Sequence, residues 1–173
     1  WLHAGEVGRD AEVVDPQVLD VHLTGGVLQS LGDPLSRGDR RDRQGQVEWW
    51  VIPMGVGPER ATTTAGRVLG EQSFAAVWST GFACALGQAV IGEVLIGTHV
   101  TMEGGAEDGR SVPCAAAGAD WVRQAVQQQR LPVQAGQFVS VPRVLCRAED
   151  KQEIATRAGG VGLDMESAAL GFV

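Results

Sequence analysis

The sequence predicts a three-layer α/β/α fold, a central sheet with helices on both sides, and three observations predict it. Between residues 46 and 173, short runs of β-branched and aromatic residues alternate with segments whose apolar residues recur every three or four positions. Glycine-rich loops join the two kinds of segment, as at Gly55-Val56-Gly57 and Gly159-Gly160. The composition, 173 residues with 44% hydrophobic and 20% charged, suits one globular domain with a single core.

Residues 1–45 carry mixed charges, Gly and Asp-Pro pairs, and read mostly as turns and loops; they are assigned as a poorly readable N-terminal segment of the same domain. Four arginines between Arg37 and Arg43 are interleaved with Asp39 and Asp42, the pattern of a solvated loop. Val47 to Pro53 reads as a buried strand closed by proline, with Trp49 and Trp50 on opposite faces. Glu59 to Leu69 places Ala61, Ala65, Val68 and Leu69 at helical spacing, and Gly70 offers a stop.

Phe74 to Ser79 reads as a strand, Thr80 to Leu86 as a loop, and Glu93 to Val100 as a further strand ending near His99. Residues 103–114 are rich in glycine and charge and are expected to form a long exposed loop. Ala117, Trp121, Val122, Ala125 and Val126 make an amphipathic helix of Ala116 to Gln129. Gln137 to Val141 is strand-like. Glu149 to Ala158 has acids at its start, Arg157 near its end and glycines behind it, so it reads as a helix. Val161 to Asp164 is a short strand, and Glu166 opens another helix.

The net charge of −7 argues against non-specific nucleic-acid binding, which draws its affinity from cations meeting phosphates. No apolar run approaches the roughly 20 residues that a membrane helix needs. Cys84, Cys114 and Cys146 are odd in number and have no nearby histidines, which fits neither a disulfide framework nor a metal site. A cytoplasmic protein without a metal is expected. The chain opens on Trp1 and closes on Val173 inside an apolar stretch, so it is expected to be truncated at both ends.

Two loops can carry chemistry. Gly55-Val56-Gly57 lies between a strand and a helix, where missing Cβ atoms allow close approach to a ligand or simply a tight turn. It is not a dinucleotide fingerprint, because Pro58, Glu59 and Arg60 follow Gly57. Asp164-Met165-Glu166 puts two carboxylates at a strand-to-helix junction. A carboxylate there can accept from two neighbouring hydroxyls of a sugar, or only favour the helix dipole. His99 is read as a structural residue and Cys84 as a small buried hydrophobe.

These segments together carry a resemblance. Gly55-Val56-Gly57 with Ala61 behind it, Ser79-Thr80-Gly81-Phe82-Ala83-Cys84-Ala85-Leu86 with Gly92-Glu93-Val94, and Asp164-Met165-Glu166-Ser167-Ala168-Ala169 stand in the order seen in the nucleoside phosphorylase/nucleosidase family. That family includes purine and uridine phosphorylases, methylthioadenosine/S-adenosylhomocysteine nucleosidase, futalosine hydrolase and hopanoid-associated phosphorylases. The resemblance implies a nucleoside phosphorylase-like domain over residues 46–173, with a central mixed sheet, incomplete at its C-terminus.

It also implies cleavage of the N-glycosidic bond of a purine nucleoside, by water or by phosphate as co-substrate, in a homo-oligomer that needs no other cofactor. Glu166 would hold the ribose hydroxyls, with Asp164 beside it, and Met165 would pack on the sugar. Gly81, Phe82 and Ala83 would line the pocket and Val56 would reach the substrate. The stretch Val139 to Leu145, with Val141 at its centre, would stack the base. The acid that protonates the leaving base is expected as an aspartate beyond Val173, so the chain as given is expected to be inactive. The glutamate that positions water belongs to a first strand that residues 1–25 do not display.

The chain departs from the family at Ala83-Cys84-Ala85, where Ala-Gly-Gly is common and added side chains would crowd a ligand. It departs again at Ser79 and Phe82, where phosphorylases place an arginine and a hydroxyl. Hydrolysis is therefore favoured over phosphorolysis. The alternative is a catalytically inactive member acting as a nucleoside-binding or structural protein.

Overall fold

The computed structural model describes residues 2–6, 17–24, 40–44, 47–104 and 110–173, with side chains described from residue 50. In chain order its elements are β1 (Leu2–Glu6), β2 (Gln17–Thr24), β3 (Arg40–Gln44), β4 (Val47–Ile52), α1 (Pro58–Glu71), β5 (Ala76–Ala85) and β6 (Val94–Met102). There follow β7 (Ser111–Pro113), α2 (Ala116–Gln128), β8 (Val133–Ser140), α3 (Ala148–Ala158), β9 (Gly162–Asp164) and α4 (Ser167–Gly171).

The sheet is mixed and curls until it closes. β2 pairs with β6, β6 with β8, β8 with β9, β9 with β5, and β5 returns to β2. β1 continues from the first half of β5 and leads through β4 to β3, while β7 pairs with β6. Closure leaves the five central strands with partners on both sides, so little unpaired backbone remains there.

Alternation along the strands sends side chains to helices on both faces. On β6, Val94 and Ile96 pack with Ala119 and Val122 of α2, whereas Leu95 lies with Ala168 of α4. On β8, Val139 packs with Ile154 of α3, whereas Phe138 joins Leu95 and Ala168 on the opposite face. A further cluster joins Trp50 and Ile52 of β4 to Ala61, Ala65 and Val68 of α1 and Leu170 of α4, with Trp50 meeting Phe74 edge to face at 5.4 Å. The α/β class with helices on both faces of a mixed sheet is the predicted one.

Several elements differ from the sequence reading. Residues 1–45, read as loops, hold β1, β2 and β3. β3 is Arg-Arg-Asp-Arg-Gln at the end of the sheet, where charge on an exposed edge is common and no apolar alternation announces the strand. Thr80 to Ala85, read as a loop on account of Gly81, continues β5, because β2 pairs with it from Ala76 to Ala83 on one side and β9 pairs with it at Cys84 and Ala85 on the other.

Within 103–114, Ser111–Pro113 pairs with β6; residues 105–109, also assigned to the loop, lie outside the described residues. So does the side chain of Trp49. α1 runs through Gly70 to Glu71, and Gln72 in extended conformation caps Val68. α2 buries Ala119 and Val122, while Trp121 stays 58% exposed and packs edge to face on Trp78 at 5.0 Å.

Candidate active site

Three segments of the chain converge on one cavity of about 290 Å³. The turn after β4 brings Met54, Gly55 and Val56; the middle of β5 brings Ser79, Thr80, Gly81 and Phe82; the β9–α4 junction brings Glu166, with Leu170 one turn on. Each is placed by a local rule. Pro53 lacks the N–H to extend β4, and Pro58 starts α1 where a missing N–H costs nothing. Gly57 between them holds φ 92° and ψ 161°, a conformation open essentially to glycine alone. A Cβ on Gly81 would meet nothing within 4 Å, so at that point β5 presents bare backbone to open space.

Glu166 is the single ionisable group among the described lining residues. Its Oε1 accepts the Gly57 N–H at 2.7 Å and its Oε2 accepts the Met165 N–H at 3.2 Å. A carboxylate has about four acceptor positions, so each oxygen keeps one for a further donor. The contact also bridges 109 residues of sequence, locking the glycine turn to the start of α4.

Beneath this carboxylate lies a buried polar cluster. Asp164, 5% exposed, accepts the Ser167 N–H on Oδ2 at 2.9 Å and a short hydrogen bond from the Ser140 hydroxyl on Oδ1. Ser140 Oγ in turn accepts the Ala168 N–H at 2.9 Å. Ser167 Oγ sits 3.2 Å from the Oγ of Ser79, a buried residue of the cavity lining.

The expected site residues therefore separate into two groups. Glu166, Gly81, Phe82 and Val56 line the cavity, Phe82 and Val56 with exposures of 51% and 70%. Asp164, Met165, Ala83 and Val141 are not among its lining residues, although Met165 is half-buried with its Cε beside Gly57. Asp164 faces the core, since its short side chain turns back to satisfy α4 and β8. Met165 and Val141 pack in the cluster around Leu86, Val139 and Ile154. Ala83 packs against Leu95, Val100 and Phe138.

None of the residues from Val139 to Leu145, expected to stack the base, is among those that line this cavity. Val139, Ser140 and Val141 are buried, Val144 is 70% exposed, and Arg143 is drawn aside by Glu103 at 2.5 and 3.2 Å. Nor does Ala83-Cys84-Ala85 crowd the cavity: Ala83 and Ala85 pack against one core cluster and Cys84 against another. His99 on β6 is held by its neighbour Thr98 and by Gln137 of β8.

The sequence reading did not single out Ser140 or Ser167. The signal was present: Ser140 shares a strand face with Phe138 two positions away, and a serine on a buried face needs a polar partner. Among the described residues no cluster of His, Cys, Asp or Glu is arranged to hold a metal ion, and no helix is long and apolar enough to cross a membrane.

Comparisons with known proteins agree with this architecture. A putative 5′-methylthioadenosine/S-adenosylhomocysteine nucleosidase from Francisella philomiragia superposes with a TM-score of 0.70 at 13% identity, over 90% of this chain and 77% of its own. The corresponding Helicobacter pylori nucleosidase, bound to butyl-thio-DADMe-Immucillin-A, gives 0.69 at 16% identity, over 92% and 79%. A futalosine hydrolase mutant of Helicobacter pylori gives 0.59 at 14% identity, over 79% and 73%. No curated protein matches the sequence. A sequence profile of the phosphorylase superfamily matches residues 41–173, and the chain belongs to that superfamily.

Proposed function

We propose that this protein cleaves the N-glycosidic bond of a purine nucleoside and that water, not phosphate, attacks the anomeric carbon. The observation that carries the reading is Glu166: a carboxylate on the cavity wall, aimed by two backbone N–H groups, with acceptor positions to spare. In such a reaction the sugar becomes cationic as the bond to the base lengthens. A fixed negative charge beside the ribose diol interacts more strongly with that state than with the neutral nucleoside, which lowers the barrier. Ser79 and Thr80 of β5 contribute to the same wall.

The choice of water rests on charge. No Lys, Arg or His is among the described lining residues, so a phosphate anion beside Glu166 would meet its charge without a cation from that lining. Phe82, at the cavity, presents a ring rather than a hydroxyl. The reading includes nucleoside as the ligand, no metal, and self-association that covers the exposed Val56 and Phe82.

The test is release of free base by the full-length protein from adenosine, inosine, guanosine and uridine, with and without inorganic phosphate. The reading expects base from a purine nucleoside at the same rate in both conditions. Release that depends on phosphate would replace hydrolysis by phosphorolysis, and nucleoside binding without release would favour a non-catalytic binding protein. The absence of both release and binding would overturn the proposal.

A further inference from the structure

We infer that Asp164 is a positioning residue for Glu166, an inference that rests on the ribose-binding reading above. Asp164 and Glu166 flank Met165, yet they point into different surroundings: Glu166 lines the cavity and Asp164 is 5% exposed beneath it. A buried carboxylate is costly unless its oxygens are paired. Here the pairing is spent on one structural task. Oδ2 takes the Ser167 N–H directly, and Oδ1 holds the Ser140 hydroxyl, whose oxygen takes the Ala168 N–H.

Thus one side chain fixes two successive N–H groups at the first turn of α4, directly and through Ser140, which is 0% exposed on β8. α4 has no side-chain cap from Glu166, the residue at its N-cap position, because that carboxylate is turned to Gly57 and Met165. Asp164 supplies the anchor instead, and so leaves Glu166 available to the cavity. The same first turn carries Ser167, whose hydroxyl meets Ser79 at the cavity wall. The anchor therefore sets the start of α4, the point at which Glu166 joins the cavity wall.

The experiment compares binding of adenosine with binding of 2′,3′-dideoxyadenosine by isothermal titration, in the wild type, Asp164→Ala, Ser140→Ala and Glu166→Gln, with thermal unfolding recorded for each. The wild type is expected to prefer adenosine by on the order of tenfold or more, the equivalent of a hydrogen bond to a charged group. Asp164→Ala is expected to reduce that preference towards one, as Glu166→Gln does, and Ser140→Ala to reduce it part of the way.

A merely structural role would weaken both ligands alike and keep the ratio, and that result in folded Asp164→Ala and Ser140→Ala would overturn the inference. If Asp164→Ala does not fold, the ratio in Ser140→Ala decides. A wild type without any preference would mean that the ribose reading itself has failed, and the inference with it; an intact preference that only the anchor variants leave untouched removes the inference alone.

Discussion

Gly57 and Glu166 form the smallest unit of the site, a backbone N–H and a carboxylate oxygen 2.7 Å apart. The glycine is required by its dihedral angles rather than by crowding, since the nearest atom to a Cβ there would be Met165 Cε at 3.9 Å. Gly57→Ala should therefore lower stability by about 1–3 kcal/mol through backbone strain, read by chemical denaturation, and weaken adenosine binding as the turn shifts from Glu166. A variant as stable and as tightly binding as the wild type would show that the turn tolerates another conformation. At this scale the sequence was half legible. The type and spacing of residues marked Glu166 and the glycine turn, but side-chain direction decides between binding and anchoring, and Asp164 turns inward for reasons that lie on β8.

Among the elements, the legible ones have a strong internal period or a strong stop. α1, α2 and α3 show apolar spacing or glycine endings, and β4 ends at proline. β3 and the second half of β5 have neither, because pairing with strands distant in sequence makes them strands. Leu19, Val21 and Leu23 on β2 did alternate, but the charged residues around them hid the pattern. The close packing of β9 against β8 gives a prediction. A Cβ at Gly162 would stand 2.6 Å from the ring of Phe138, which is fully buried, so Gly162→Ala should cost about 1–3 kcal/mol of stability. An unchanged unfolding midpoint would contradict that packing. Arg143 and Glu103 offer the contrasting case: Glu103 holds the guanidinium above its ordinary pKa, yet Arg143 is 58% exposed. Arg143→Ala should move the unfolding midpoint little, and less still in high salt.

For the whole molecule, closure of the sheet brings together segments that begin more than a hundred residues apart, and the cavity exists only where they meet. The ordered motifs make the family legible in the sequence, and residues 41–173 match it. The curl itself was not legible, because no local pattern states which strand will pair with which. Exposed Val56 and Phe82 at the cavity give the account an assembly-scale expectation: sedimentation should show a species larger than one chain, and a strictly monomeric protein at micromolar concentration would argue against self-association through that face.

The most direct test is isothermal titration of adenosine into the wild type and Glu166→Gln. The substitution keeps the size of the side chain, removes its charge and leaves one acceptor for the two N–H groups of Gly57 and Met165, so the account predicts affinity weaker by about 1–3 kcal/mol with a modestly lowered unfolding midpoint. Equal affinity in the two proteins would contradict the claim that this carboxylate holds the sugar.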